Sequence, residues 1–400
     1  MSLFDKCQEV TRKSTELMDS GLYPYFKRIE GNDGPVVQME GRPVIMAGSN
    51  NYLGLSADPR VKEAAKHAIS KYGTTNSGSR FMNGTLDLHE ELEYQLASFL
   101  NKEACITLTT GFQTNQGAIV PLIGKNDFII SDKDNHNSIV QGTLITKGLI
   151  GKDKVFRFKH NDMKHLESIL KRLPMEAGKL IVVDGVFSMS GAITDLPVIR
   201  ELAERFNAHI MVDDAHSTGV LGVGGRGTES HFQLDDSVDL ITGTFSKSLA
   251  SIGGFIAGKR EVIEYIKHSS PAFIFSASIS PAQAAAALKA LEIIKTEPYL
   301  IDRVHQNSFK LREGLKRLGF HVLNGQTPII PVVVGDFTQT MVLWKTLMEL
   351  GIFTNAIIPP AVPYGMEMLR VSVMASHEDI HIEQILAGFE KASKQLSLQV

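Results

Sequence analysis

The feature that most restricts how this chain can fold is a set of short, unbroken apolar runs that each stop in a charged or hydroxylated turn. "KLIVVDGVF" (179–187), "AHIMVDDAH" (208–216) and "DLITGTFSKS" (239–248) are of this kind. A strand that is apolar on both sides has to be covered on both faces. Amphipathic stretches separate the runs. "PRVKEAAKHAISKYG" (59–73) puts Val61, Ala64, Ala65, Ala68, Ile69 and Tyr72 on one helical face and closes at Gly73. Strands alternating with helices predict an α/β fold with a large, doubly wound, mostly parallel sheet from residue 46 to about 290. Ahead of it, residues 1–45 read as a leading helix and the start of a two-stranded piece, "PVVQMEGRPVIMAG", turned at Gly41. The alanine-rich 280–298 stretch reads as a long helix leading into a smaller C-terminal α+β domain (291–400). In that domain "GFHVL" and "IIPVVVGDF" read as strands. The last helix carries Ile382, Ile385, Leu386 and Phe389 at helical spacing, with Ser376 and Asp379 at capping-box spacing.

Composition narrows the function classes. Hydrophobic residues are 43% and charged residues 21%, enough apolar material for a large core. A net charge of −3 without a basic block argues against nucleic acid as a partner. Cys7 and Cys105 form no metal or disulfide pattern, as expected of a reducing cytoplasm. "MSLFDKCQEV" lacks the basic-then-apolar layout of a signal peptide, and no apolar run reaches the roughly 18 residues of a membrane span. The expectation is a cytoplasmic protein without a metal.

In open α/β sheets ligands bind beyond the carboxyl ends of the strands. Three strand ends carry polar groups here: Asp184 with Ser188; Asp213 and Asp214 with His216; and Thr244 and Ser246 with Lys247. An aspartate at a strand end commonly caps a turn, and a lone histidine is commonly structural. An acid, a histidine and a lysine on three consecutive ends point to one shared site. Lys247 lies among small, uncharged residues in "TGTFSKSLASIGGFIAG" (242–258), an odd setting for a solvating cation. Pyridoxal phosphate chemistry asks for this set. It needs a lysine for the Schiff base, a carboxylate opposite the pyridinium nitrogen, and N–H and hydroxyl donors around a phosphate. Tight packing favours the neutral amine that such a lysine requires. A P-loop is excluded, because Gly243 is misplaced and no second glycine precedes the lysine. Upstream, "TTGFQTNQGA" (109–118) places Gly111 and Phe112 where a glycine turn opens a helix whose N–H groups would face a phosphate. His136, on the polar turn of "DKDNHNSIVQG", offers a flat imidazole to stack on a ring.

These stretches, with "SNNYLGLS" and "GSRFMNGTLDLHEELE", resemble the α-oxoamine synthases of the fold-type I pyridoxal phosphate enzymes, and most of all the bacterial serine palmitoyltransferases. The similarity runs from about Leu22 to the C-terminus. It implies that Lys247 is the Schiff-base lysine, Asp213 the partner of the pyridine nitrogen, and His216 a hydrogen-bond partner of the ring's phenolic oxygen. His136 would stack on the ring and touch the substrate carboxylate. By the same resemblance Ser188 supports the ring, Thr244, Gly111 and Phe112 the phosphate, and Asn50 and Arg370 lie near the substrate carboxylate. Family members are homodimers with the site at the interface, so Ser276 in "FSAS" is expected to reach the partner's phosphate. The implied reaction joins an amino acid, serine first, to a long-chain acyl-CoA.

Three departures bear on the amino acid. Thr75, Asn76 and Ser77 replace the usual G-C-A; Asn135 and Asn137 flank His136; and Ser190 stands where an acid is common. Added amide and hydroxyl donors would suit a more anionic substrate such as cysteate, with neutral drift as the plainer reading. The apolar loop 356–366 reads either as a packed proline loop or as a surface for an acyl chain or a bilayer, giving peripheral contact with the inner membrane.

Overall fold

The computed structural model describes residues 2–32 and 34–396. The chain forms two compact units, one of residues up to Ser49 together with those from His305 on, the other Asn50–Val304. The N-terminal segment is therefore not a module of its own. Its strands β1 (Ile29–Asn32), β2 (Val36–Met39) and β3 (Arg42–Met46) share one sheet with a strand from the C-terminal region. The β2–β3 hairpin turns on Glu40 and Gly41, both at positive φ (52° and 77°), as a two-residue hairpin turn requires.

The Asn50–Val304 unit is built on β4 (Ala104–Leu108), β5 (Phe128–Asp132), β6 (Val155–Phe158), β7 (Lys179–Asp184), β8 (His209–Asp213), β9 (Leu240–Thr244) and β10 (Gly254–Gly258). Their order in the sheet is β4-β10-β9-β8-β7-β5-β6. All neighbouring pairs run parallel except the two made by β10. The runs read from sequence as strands, β7, β8 and β9, are adjacent in the sheet, so their carboxyl ends lie side by side. Helices Gly111–Leu122 and Asn137–Ile150 bury Ile119 and Ile139 against Ile106, Ile129, Val182, Met211, Leu240 and Ile256. Full burial of each such side chain stabilises by about 1.5–3 kcal/mol. In helix Pro59–Tyr72 the expected face holds for Val61 and Ala68, but Ile69 remains 42% exposed. The alanine-rich stretch is helix Pro281–Thr296, started by a Ser280–Gln283 capping box.

The chain returns to the first unit with β11 (His321–Val322), β12 (Ile329–Val333), β13 (Ile352–Phe353), β14 (Asn355–Ile357) and β15 (Met368–Ser372). β13 pairs with β3 in parallel, while β11, β12, β15 and β14 form a separate antiparallel sheet. Helix Asp379–Leu396 begins two residues later than a Ser376 cap requires. The Ser376 hydroxyl has no hydrogen-bond partner, and the His381 ring accepts the Glu378 N–H instead. The 356–366 loop closes two tight turns, Ala361 N–H to Ile358 O and Met366 N–H to Pro363 O, with Val362 buried and Tyr364 exposed. Among the described residues no helix is long and apolar enough to cross a membrane.

Candidate active site

Asp213 ends β8 and is buried. A bare carboxylate there would be costly, and two donors hold it: the Asn115 amide at 2.6 Å and the Ala215 N–H at 2.9 Å. Asn115, buried on helix Gly111–Leu122, directs the network. Its carbonyl accepts from the Thr242 hydroxyl (2.8 Å), and its amide also donates to Ser138 Oγ (2.8 Å). Ser138 Oγ in turn lies 2.7 Å from His136 Nδ1. Because Ser138 N–H also points at Nδ1 (3.3 Å), that nitrogen is an acceptor and the ring proton belongs on Nε2. Burial holds the His136 imidazole below its ordinary pKa; the Asp213 carboxylate opposes this, and Lys247 adds to it. His136 is thus a neutral ring with an exposed edge, set at the start of helix Asn137–Ile150.

His216, buried after β8, is fixed by the Tyr52 hydroxyl at 2.7 Å from its Nδ1, and the same hydroxyl donates to Asn50 Oδ1 at 3.3 Å. Asn50, Tyr52 and His216 are therefore one cluster. Lys247 follows β9, half-buried, between exposed Ser246 and buried Ser248. Ser188 is half-buried in the turn after β7. Arg370 belongs to the other unit, where it is buried in β15 opposite Pro331 and Asn355.

The start of helix Gly111–Leu122 meets the end of β9. Thr110 caps it by accepting the Gln113 N–H, and the N–H groups of Gly111 and Phe112 have no acceptor within the helix by position. A Cβ on Gly111 would lie 2.6 Å from Thr244 Oγ1, so only glycine lets the helix terminus come this close to that hydroxyl. Helix N–H groups, a threonine and Ser246, which lies 3.1 Å from Thr244 Oγ1, form a cradle of donors without a cation, suited to a phosphate. The Phe112 side chain is 42% exposed. Ser276 accepts the Gln113 amide at 2.8 Å and so borders the same helix start within one chain. A buried carboxylate, a lysine, a neutral histidine and this cradle fit pyridoxal phosphate.

Sequence reading missed Asn115, Ser138 and Tyr52. An amide within a helical pattern gives no sign of a partner 98 positions away, and Tyr52 was visible only as part of "SNNYLG". Three of the departures noted in the sequence have partners within the protein. Asn76 donates to Gly84 O and Ser278 Oγ. Asn135 donates to Ser131 Oγ and Val182 O and accepts the Asp184 N–H. Ser190 accepts the Ala192 N–H.

Fold and site together define a pyridoxal-phosphate-dependent transferase of fold type I. The chain belongs to the class I and II aminotransferase family, whose model matches residues 42–389, and within it to the α-oxoamine synthases. It is 45% identical over 384 residues to a serine palmitoyltransferase of Sphingobacterium spiritivorum, covering 96% of this chain and 95% of that one. It is 42% identical over 383 residues to an 8-amino-7-oxononanoate synthase of Symbiobacterium thermophilum, covering 96% of each. A solved serine palmitoyltransferase from S. paucimobilis with a bound PLP–myriocin aldimine superposes with a TM-score of 0.94 at 33% identity, over 99% of this chain and 100% of that one. The chain is accordingly a pyridoxal-phosphate-dependent acyltransferase.

Proposed function

We propose that the chain condenses L-serine with a long-chain acyl-CoA, palmitoyl-CoA in the first instance, to a 3-keto amine, CoA and CO2, the opening step of sphingolipid synthesis. The observation that carries this is the Asn115 fork, which ties the Asp213 carboxylate and the His136 ring into one buried network. The serine palmitoyltransferase relatives support the substrate pair.

Bound pyridoxal phosphate would supply an electron sink for charge at the amino acid's α-carbon. Lys247 and Asp213 would hold its two ends of reactivity, with His216 and Ser188 beside the ring and Gly111, Phe112 and Thr244 around the phosphate. Asp213, held by the Asn115 amide and the Ala215 N–H, would face the pyridine nitrogen. Lys247 would take the α-proton. His136 would present Nε2–H to the substrate carboxylate, with Asn50 beside it. The new C–C bond forms between the α-carbon and the thioester carbonyl carbon; CoA leaves as a thiolate, the carboxylate departs as CO2, and the proton taken up by Lys247 returns to the α-carbon. Holding the reacting groups in this order is worth on the order of several kcal/mol.

Serine is favoured over cysteate because the Asn76 and Asn135 amides, which would have served a sulfonate, donate within the protein. The 8-amino-7-oxononanoate synthase relative supports a second reading, another amino acid such as glycine or alanine on the same machinery. We further infer a homodimer. Segments 78–79 and 277–278 adjoin, and Met82 (77% exposed) and Phe275 (84% exposed) on their flanks leave apolar surface for a second copy, where Ser276 would serve the partner's site. Free Cys7 and Cys105 support a reducing, cytoplasmic setting. The test incubates the holoenzyme with palmitoyl-CoA and serine, cysteate, glycine or alanine, and measures CO2 and free thiol. Serine is expected to give the highest kcat/KM. Amino-group exchange with a keto acid and no thiol release would overturn the reading.

A further inference from the structure

Four buried aspartates sit at or just after neighbouring strand ends, and they are not equally solvated by the protein. Asp132 accepts from the Asp134 and Asn161 N–H groups (both 2.8 Å) and lies 3.2 Å from His160 Nδ1. Asp214 accepts from the Thr228 N–H (2.9 Å) and hydroxyl (2.5 Å). Asp213 has Asn115 and Ala215. Asp184 is 3% exposed and receives a single N–H, from His136 to Oδ2 at 3.0 Å. Its Oδ1 is buried with no hydrogen-bond partner.

An ionised carboxylate offers about four acceptor positions, and leaving them empty away from water is strongly disfavoured. Asp184 also stands in register with Asp213 on the adjacent parallel strand, so the two side chains leave the same face of the sheet. Two like charges so placed push one carboxyl to keep its proton. The groups bearing on Asp184 are the carboxylates of Asp213 and Asp132, the Lys247 amine and the His136 turn. Burial first, and Asp213 next, push the Asp184 carboxyl well above the usual range, against the pull of Lys247.

We propose that Asp184 is a neutral carboxylic acid at pH 7 and a positioning residue for His136. Its carbonyl-type oxygen holds the His136 N–H at the first turn of helix Asn137–Ile150, and so sets where the imidazole lies. The polar work is divided between two aspartates in register, one held by two donors and one with a single donor and a proton of its own.

The experiment compares Asp184→Asn, Asp184→Ala and, as a one-charge ruler, Asp235→Asn on the exposed surface. Native electrophoretic mobility of the holoenzyme at pH 7 should be the same for Asp184→Asn and the native protein, while Asp235→Asn shifts by one charge. In steady-state kinetics Asp184→Ala leaves a buried N–H unsatisfied and should lower kcat/KM about tenfold or more. Asp184→Asn, whose amide oxygen still accepts from His136, should restore most of that loss with an unchanged pH profile. A one-charge mobility shift in Asp184→Asn would overturn the neutral acid. Asparagine as damaging as alanine would overturn the positioning role, and the asparagine variant keeps that test standing should the alanine variant not fold. The kinetic arm rests on the condensation proposed above and the mobility arm does not, so the two can fail separately.

Discussion

Two buried polar networks in the Asn50–Val304 unit follow opposite rules. Around Arg80 the polar groups close on one another. The guanidinium grips Glu93 at 2.6 and 3.0 Å, Glu93 also accepts the Thr107 N–H and hydroxyl, and Arg80 Nε reaches Thr85. At the strand ends the network closes only on its inner side. Asn115 saturates itself between Thr242, Asp213 and Ser138, while the His136 edge and the first N–H groups of helix Gly111–Leu122 face outward. The first network is built on an ion pair, the second on an amide that joins a carboxylate to a histidine turn. Saturation marks a group that holds the fold; an inner half tied down and an outer half open marks a group that acts.

That contrast is open to test, starting where the effect should be greatest. Lys247→Ala should bring turnover to background and remove the visible absorbance of the cofactor-loaded enzyme; activity with retained absorbance would take Lys247 out of its role. Asp213→Asn should come next, with kcat down about a hundredfold or more because the carboxylate is needed by the ligand, and with a smaller fall in stability, about 1–3 kcal/mol, because the new NH2 faces one of the two N–H donors. α-Proton exchange from serine at the native rate in this variant would remove the electron-sink role. Arg80→Ala should behave in reverse. It strands a buried carboxylate, so about 3–5 kcal/mol of unfolding free energy should be lost in denaturant titration, with kcat/KM of the folded fraction near native.

The smallest expected effect sharpens the rule. In the other unit His377 is buried, its Nε2 has no partner, and burial first and His381 second lower its pKa to about 4. An unfilled valence alone does not mark function here, because the ring's other nitrogen accepts the Met374 N–H within its own turn. Its folded pKa lies below the unfolded value of about 6.5, so the unfolded chain takes the proton first. Stability should therefore be full above pH 6.5 and fall as pH drops towards 4, by on the order of 2–3 kcal/mol at most. His377→Asn should flatten that slope and leave the pH profile of kcat untouched. A changed activity profile would mean that an open valence signals chemistry wherever it occurs.

Much of this was legible in sequence. The runs ending at Asp184, Asp213 and Thr244 are neighbouring strands, and Gly111 opens a helix against Thr244. Periodicity reveals such elements because local burial sets it. What it cannot show is the other end of a long-range hydrogen bond. Asn115 gave no signal, and Asn76 and Asn135 looked like spare donors until their acceptors were seen. The Ser376 spacing suggested a cap, but the helix starts three residues on, at Asp379, where the His381 ring accepts the N–H of the preceding Glu378.

By itself the sequence determined the alternation of strand and helix, the strand ends on which an acid, a histidine and a lysine fall, and hence the class of chemistry. Only the tertiary structure decided that β1–β3 belong with the C-terminal strands, which nitrogen of His136 carries the proton, and which of two in-register aspartates has two donors. Spacing along the chain fixes the first set because residues a few positions apart share a face. The second set depends on burial and on donors brought from elements some fifty or a hundred positions away, where spacing carries no information.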